Sequence, residues 1–430
     1  MMRRQREQIM LSSTLYGEQT KRTVNNMSYT GRTLSQYPLY IQALAEVKQA
    51  AAMANCEAGA ISQEICSAIV AACRSIMAGQ HHDQFPVDVY HGGGSIGTNM
   101  NMNEVLAALT AVPAAQINLS QSTADVCFTA LRIALIRRAQ PLLAVLRRCI
   151  EALRQKGEEF TGMETISRTC LQDAMRTSHG VLFQACAANL EKHVVQLEER
   201  IQDLHQVNLG GTVIGSGTGA SQAYRDHILS CLQKVTDMPL RHRSNLYEAA
   251  QYPDDLAACS GALRMMSANL LKFAKDLRLL SSGPEAGFAE LKLPAVQAGS
   301  SFFPGKVNPV IPEMLVQCSL LVSGRDHTIQ AALEHGELQL NIWDGMMGML
   351  LYENMEMLTH ALQNFYDYCL VGIEVNQERS SLYAASSIPL VVELTEQYGY
   401  EQVSGWLQTE SVQQVQRKLK EERKHDERNT

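Results

Sequence analysis

The chain has 430 residues, a formal net charge of −7, 46% hydrophobic and 19% charged residues. That apolar share excludes global disorder, and the acidic balance argues against a phosphate-binding face, so no nucleic-acid partner is expected. No stretch approaches eighteen consecutive apolar residues, which excludes a membrane-spanning helix and a membrane partner.

The first seven residues, Met1-Met2-Arg3-Arg4-Gln5-Arg6-Glu7, are basic, but no apolar core of a secretory signal follows them. A first Gly-rich stretch runs from Tyr90 to Thr98. Leu142, Leu146, Ile150 and Leu153 then form an apolar stripe that starts just after Pro141, where a helix is expected to kink or restart. Leu190, Val194, Leu197, Ile201 and Leu204 advance by four and three residues with Glu, Lys, Gln and Arg between them, the spacing of one helix face. A second Gly-rich stretch, Leu209 to Ala220, precedes a longer stripe, Leu263, Met266, Leu270, Phe273, Leu277 and Leu280, which Ser281-Ser282-Gly283-Pro284 stops. The third Gly-rich stretch lies at Gly299 to Lys306, and Ser411 to Thr430 reads as a solvated helix or a frayed tail. Strand-like alternation is almost nowhere sustained. The expectation is a mainly α protein around a bundle of long helices, with its chemistry on the Gly-rich loops that those rods hold.

Several other chemistries are argued against by spacing. The 11 cysteines are odd in number, scattered, and include no Cys-x-x-Cys pair, so neither a disulfide framework nor a zinc site is expected and the chain reads as cytoplasmic. His81, His82 and His91 lie near the first Gly-rich loop, but no third ligand stands at metal spacing; they read as surface or capping histidines. Gly210, Gly211, Gly215, Gly217 and Gly219 suggest a dinucleotide loop only superficially, since no strand precedes them.

Gly299-Ser300-Ser301-Phe302-Phe303-Pro304-Gly305-Lys306-Val307-Asn308-Pro309-Val310-Ile311-Pro312-Glu313 is the densest chemical segment. Its glycines can present backbone N–H groups and Lys306 adds a point charge, which suits carboxylate or phosphate capture. It is not a phosphate-binding Walker loop, because no Ser or Thr follows Lys306. Taken alone, an ordinary loop between two helices would explain it equally well.

Together with other segments, it closely resembles the aspartase/fumarase superfamily, and within it the aspartate ammonia-lyases. Gly299 to Glu313 matches the signature Gly-Ser-Ser-x-x-Pro-x-Lys-x-Asn followed by Glu. Asp83 to Tyr90 with Asn99-Met100-Asn101-Met102-Asn103-Glu104-Val105, Gln121-Ser122-Thr123 with Asp125, Arg168-Thr169 with Leu171-Gln172-Asp173-Ala174, Gly210 to Gly215 before Ala220, and Leu338-Gln339-Leu340-Asn341 follow the family order from about Tyr16 onward. The resemblance implies an N-terminal helical domain (1–112), a central long-helix domain (113–365) that forms a 20-helix core in a homotetramer, and a small C-terminal helical domain with a charged tail (366–430). It implies active sites shared by three subunits, a small-molecule amino-acid substrate, and reversible anti elimination of an amine with no metal and no organic cofactor. By similarity Ser300 is the base that takes the Cβ proton, with Ser301 beside it. Lys306 and Asn308 match positions that hold the α-carboxylate, and Ser122, Thr123 and Thr169 match those around the β-carboxylate. Helix capping is the competing account of these hydroxyls.

This sequence departs from the family pattern at one end of that site. Ile96 and Gly97 stand where the ammonia-lyases carry a Thr-Ser pair, flanked here by Ser95 and Thr98; Ala124 replaces Asn, Cys170 replaces His or Gln, and the stretch from Asn103 to Gln121 is short. Loss of polar partners leaves the pocket less able to solvate a carboxylate. Ile96, Gly97, Ala124 and Cys170 are therefore read as specificity positions, and the substrate as aspartate or a close analogue. A β-substituent other than carboxylate, such as the imidazole-type ring of an ergothioneine-like betaine, would also fit. Phe302, Phe303 and Trp343 could line such a pocket, although core packing is the commoner role of aromatics. The competing functions are a class II fumarase-like C–O lyase and a non-catalytic tetrameric paralogue.

Overall fold

The computed structural model describes residues 14–429, with side chains described as far as 421. The basic Met1–Glu7 stretch lies outside them. In chain order the helices are α1 (Glu18–Met27), α2 (Pro38–Glu57), α3 (Gln63–Met77), α4 (Ile96–Thr110), α5 (Ala114–Ile117) and α6 (Thr123–Glu159). After the hairpin β1 (Glu164–Thr169) and β2 (Gln172–Ser178) come α7 (His179–Asp203), β3 (Gln206–Val207), α8 (Gln222–Thr236), β4 (Arg241–His242), α9 (Leu246–Gln251) and α10 (Asp254–Leu280). The rest is β5 (Leu291–Lys292), α11 (Val310–Glu334), α12 (Asp344–Tyr368), β6 (Glu374–Val375), α13 (Gln377–Ala384), α14 (Ser387–Tyr398), α15 (Tyr400–Leu407) and α16 (Val412–Asn429). The architecture is mainly α, as the stripes predict, and the charged end of the chain is helical through Asn429.

The stripes are core. Leu142, Leu146, Ile150 and Leu153 are buried, and so are Leu190, Val194, Leu197 and Ile201, and Leu263, Met266, Leu270, Phe273 and Leu277. Pro141 neither stops nor restarts α6, which runs 37 residues through it. A proline removes one backbone hydrogen bond, and buried Leu135, Ala139, Leu142 and Leu143 on either side of it hold the helix in place regardless.

The chain divides into two compact units. The first takes the chain up to Ala144 with His193–Ala268 and Cys318–His360. In it α2 packs on α3 and α8, and α1 on α4. Its interior carries charge: Arg132 donates to Asp255 at 2.6 and 2.9 Å and to Asp344 at 3.0 Å, and Arg243 reaches Asp255 at 2.9 Å. Buried ions hold only when paired in this way, so losing one partner would leave an uncompensated charge. The second unit takes Val145–Lys192, Asn269–Gln317 and Ala361 onward. Phe160, Phe183, Phe273 and Phe365 stack edge to face through its middle, centroids 5.3 to 6.3 Å apart. Its hairpin β1–β2 packs on α13 and α14, and Leu394, Val403 and Val415 close a small core among α14, α15 and α16. Among the described residues no helix is long and apolar enough to cross a membrane.

Candidate functional site

In the first unit the first Gly-rich loop runs into α4. Ser95 ends the loop in a left-handed conformation (φ 73°) and its side chain makes no capping hydrogen bond. The cap comes from His91, which is buried: its Nε2 accepts the Thr98 N–H at 3.1 Å and lies 2.9 Å from Thr98 Oγ1, while Nδ1 lies 2.8 Å from the Gly92 carbonyl. A nitrogen that accepts an amide proton carries none, so the imidazole is neutral, its proton sits on Nδ1, and the Thr98 hydroxyl donates to Nε2. Burial lowers the His91 pKa and reinforces that state. Ile96 is partly exposed, whereas Gly97 and Thr98 are buried.

Ser122, Thr123 and Ala124 form the start of α6. The Ser122 N–H donates to Asp125 Oδ1 at 2.8 Å and Ser122 Oγ accepts from the Ala124 N–H at 3.4 Å, so backbone and side chain of Ser122 both serve as a cap of α6. Asp125 Oδ2 also accepts the Gly210 and Thr212 N–H groups at 3.0 and 3.1 Å, which ties the second Gly-rich loop to this helix start. Burial raises the Asp125 pKa to about 6 against the pull of those three donors. Thr123 Oγ1 accepts from Asn99 Nδ2 at 3.2 Å, so α4 and the start of α6 meet at residues 98–99 and 122–124.

Beneath them stands a residue that the sequence analysis missed. Lys48 is fully buried, and its ammonium donates to Asn118 Oδ1 and Gln121 Oε1, both at 2.9 Å. Asn118 Oδ1 also accepts from Asn99 and Asn103, each at 3.1 Å. Burial pulls the Lys48 pKa down to about 8. The available signal was weak: a lysine beside Glu46 and Gln49 at the head of the small, apolar run Ala50 to Ala54, and a lysine is costly to bury unless hydrogen-bonded.

In the second unit Thr169 and Cys170 stand at the tip of the β1–β2 hairpin. The two-residue turn is Cys170–Leu171, both with positive φ (54° and 61°), a conformation usually left to Asn and Gly. Arg168 just before it is not free for a ligand: it pairs with the buried Glu290 at 2.7 Å and stacks between Phe288 and Tyr383. Thr165 also hydrogen-bonds Glu290, so this carboxylate holds the hairpin by two residues. Ser380, His179 and Glu290 have the composition of a catalytic triad but not its geometry. Ser380 Oγ and Glu290 both approach His179 Nε2, at 2.9 and 3.9 Å, and all three residues are buried.

The loop of residues 299–308 closes on itself. The Gly299 N–H donates to the Lys306 carbonyl at 2.8 Å, and Asn308 Nδ2 donates to the Gly299 carbonyl at 2.7 Å. A β-carbon at Gly299 would stand 2.6 Å from both the Asn308 nitrogen and the Lys306 oxygen, so only glycine closes this loop. The closure turns two N–H groups onto one oxygen: Ser300 Oγ accepts from Phe302 at 3.0 Å and from Phe303 at 2.9 Å. Two donors on a hydroxyl oxygen favour its ionised form, as in an oxyanion hole. Lys306 is exposed, makes no ion pair among the described residues, and lines an open cavity of about 740 Å³ with Asn308, Arg278, Lys292 and Glu313. Ser301 is exposed, as are Phe302 (80%) and Phe303 (57%), which are therefore not core residues of this chain. Trp343 is also partly exposed and donates from Nε1 to the His335 carbonyl. Each unit thus carries two groups of site residues. Within the first the two groups are hydrogen-bonded through Asn99 and Thr123, and within the second no hydrogen bond among the described residues joins the hairpin tip to the Ser300 loop.

Known proteins share this arrangement of sequence and fold. A family model described as Lyase matches residues 10–324. The aspartate ammonia-lyase of Helicobacter pylori is 38% identical over 399 residues, covering 90% of this chain and 85% of that protein. That of Pseudomonas aeruginosa is 40% identical over 400 residues, covering 90% and 84%. Two solved structures superpose with a TM-score of 0.90 over 95% of this chain and 92% of theirs. They are a fumarate lyase:delta crystallin from Brucella melitensis bound to cobalt, at 39% identity, and a class II fumarase from Schistosoma mansoni, at 29%. The chain belongs to the aspartase/fumarase superfamily of lyases. Within it, the protein is an enzyme of the ammonia-lyase type, a carbon–nitrogen lyase.

Proposed function

We propose that this enzyme catalyses the reversible anti elimination of an amine from an α-amino acid, aspartate or a close analogue, with Ser300 as the base. Ser300 Oγ takes the Cβ proton, and the electrons of that C–H bond become the new Cα–Cβ double bond. The C–N bond breaks, and its electron pair leaves with the amine. For aspartate the C–H electron pair passes first onto the β-carboxylate as an aci-carboxylate, which needs donors aimed at its developing charge, and returns to form the double bond as the amine leaves. Lys306 and Asn308 are assigned to the α-carboxylate. Ser122, Thr123 and Thr169 are assigned to the far end of the substrate, with Ser95, Thr98 and Ser301 around it. The observation that carries the reading is the pair of N–H groups on Ser300 Oγ, because an unassisted serine is too weak a base. Relatives named aspartate ammonia-lyase, at 38–40% identity, support C–N over C–O elimination.

A substrate with a β-substituent other than carboxylate is the second reading. Ile96, Gly97, Ala124 and Cys170 favour it, and the exposed Phe302 and Phe303 offer faces for a ring or a trimethylammonium group. The enzyme is assigned to the cytoplasm, where all eleven of its free thiols would stay reduced. It is also assigned to a homotetramer whose sites draw on three subunits. The exposed Leu320 (60%) and Leu321 (53%) on α11, and the exposed loop at Ser301 to Val307, support that assembly.

The test is to incubate the enzyme with L-aspartate and a panel of α-amino acids and betaines, following absorbance of the unsaturated acid and released amine together. Equimolar release is expected from the wild type. Ser300→Ala should lower turnover by several orders of magnitude while circular dichroism and oligomer size stay unchanged. Wild-type-like turnover by the alanine variant would contradict the assignment.

A further inference from the structure

The cavity beside the Ser300 loop holds more positive charge than one substrate carboxylate would use. It lies within the second unit, measures about 740 Å³ and is lined by three cations, Arg278, Lys292 and Lys306, against one carboxylate, Glu313. Arg278 faces that carboxylate at 3.6 Å, so these two offset each other and both lysines are left over. Lys292 ends the short strand β5. Glu374 stands opposite it in the register with β6, yet Lys292 forms no ion pair among the described residues. Lys306 forms none either, and its ammonium lies 6.0 Å from the Phe303 ring. The neutral donors of the lining are committed to backbone carbonyls: Ser282 Oγ to Leu279, Asn376 Nδ2 to Ala289 and Asn308 Nδ2 to Gly299. The loop N–H groups are committed too, Gly299 to the Lys306 carbonyl and Phe302 and Phe303 to Ser300 Oγ. Two point charges on separate elements, with no convergent backbone donors between them, suit two separated carboxylates better than one compact phosphate.

We infer that Lys292 and Lys306 together form a binding site for a dicarboxylate, and that a dicarboxylate held between them inhibits the enzyme by occupying Lys306. The inhibition rests on the proposed assignment of Lys306 to the substrate α-carboxylate, whereas the binding site does not. A monocarboxylate meets one ammonium and gains nothing from the other. A dicarboxylate of matching length meets both, because its second carboxylate is tethered beside the second lysine once the first is bound. Both lysines are exposed, so each contact is screened by salt and its contribution is modest. A side complex of this kind does not enter kcat/KM, which compares the transition state with free enzyme and free substrate.

The experiment titrates saturated dicarboxylates from malonate to adipate, the monocarboxylate of each length, and inorganic phosphate into wild type and Lys292→Met by calorimetry. Each is also measured as an inhibitor of L-aspartate turnover. Lys292→Met should weaken binding of the best-fitting dicarboxylate about threefold to tenfold, and raise its inhibition constant by the same factor. Monocarboxylate binding, Tm and kcat/KM for L-aspartate should stay at wild-type values, and the dicarboxylate effect should fade at high salt. Equal dicarboxylate binding by the two proteins, or an equal loss for monocarboxylates, would overturn the site. Phosphate bound as tightly as the best dicarboxylate, and as dependent on Lys292, would overturn the assignment to dicarboxylates. Lys292-dependent binding that does not compete with L-aspartate would uphold the site and overturn the inhibition. If no α-amino acid is turned over, the functional reading falls, while the calorimetry still decides the site.

Discussion

Whether a serine can act as a base depends on what its oxygen accepts, and here it accepts two backbone N–H groups from the two residues at the turn that follows it. The motif residues Gly299, Ser300, Lys306 and Asn308 were legible in the sequence through the family signature, although loop closure itself requires only the glycine at 299 and the amide of Asn308. What was not legible is how they divide the labour. Asn308 donates to the Gly299 carbonyl and so shapes the loop, whereas Lys306 has no ion-pair partner among the described residues and lies at the cavity with its ammonium 6.0 Å from the Phe303 ring. A cation with no carboxylate of its own beside it is the group that should hold a substrate carboxylate. Lys306→Met should therefore weaken binding of L-aspartate, measured by calorimetry on the Ser300→Ala background so that nothing is consumed, by about tenfold to a hundredfold. An unchanged Kd would mean that another cation holds the carboxylate. Arg168 is not available for that role, since it is committed to Glu290.

Among the elements, the long helices were readable from their four-and-three spacing, and their stripes are buried as expected. The hairpin β1–β2 was not readable. Thr165, Ser167 and Thr169 alternate with Ile166 and Arg168, so neither face is plainly apolar, and its turn lacks Gly and Asn. The clamp between α1 and α4, in which the Glu104 carboxylate receives the Gly17, Gln19 and Thr20 N–H groups and the Thr20 hydroxyl, was equally hidden, because it joins residues about 85 positions apart. It carries a pH signature. Burial alone would raise the Glu104 pKa, but its four donors overcome this and hold it below the ordinary carboxylate range. A carboxylate whose pKa is depressed by folding stabilises the fold above its unfolded pKa, and that contribution is lost as pH falls through the folded value. Glu104→Gln should cost about 1–3 kcal/mol in urea melts at pH 7. The difference from wild type should begin to shrink below about pH 4, where the unfolded carboxylate takes up a proton, and vanish once the pH has fallen through the lower folded value. A difference independent of pH would contradict the clamp.

At the scale of the whole molecule, the proposed reaction draws on residues that lie far apart in sequence: Thr98, Ser122, Thr169 and Ser300. The family order of motifs was legible along most of the chain, yet no single-chain pattern could say which subunit supplies which segment. The exposed aromatic pair beside Ser300 and the exposed leucines of α11 are apolar surfaces that an assembly would cover. The most direct measurement of a Ser300-dependent elimination at shared sites is complementation. Ser300→Ala and Thr169→Val, each inactive alone, are unfolded together, reassembled in equal amounts and assayed for amine release. Random mixing in a symmetric oligomer should leave about one quarter of the sites with both wild-type segments, and activity should return to about that fraction of wild type. No recovery in mixtures whose mixed oligomers are verified by mass would contradict the shared site.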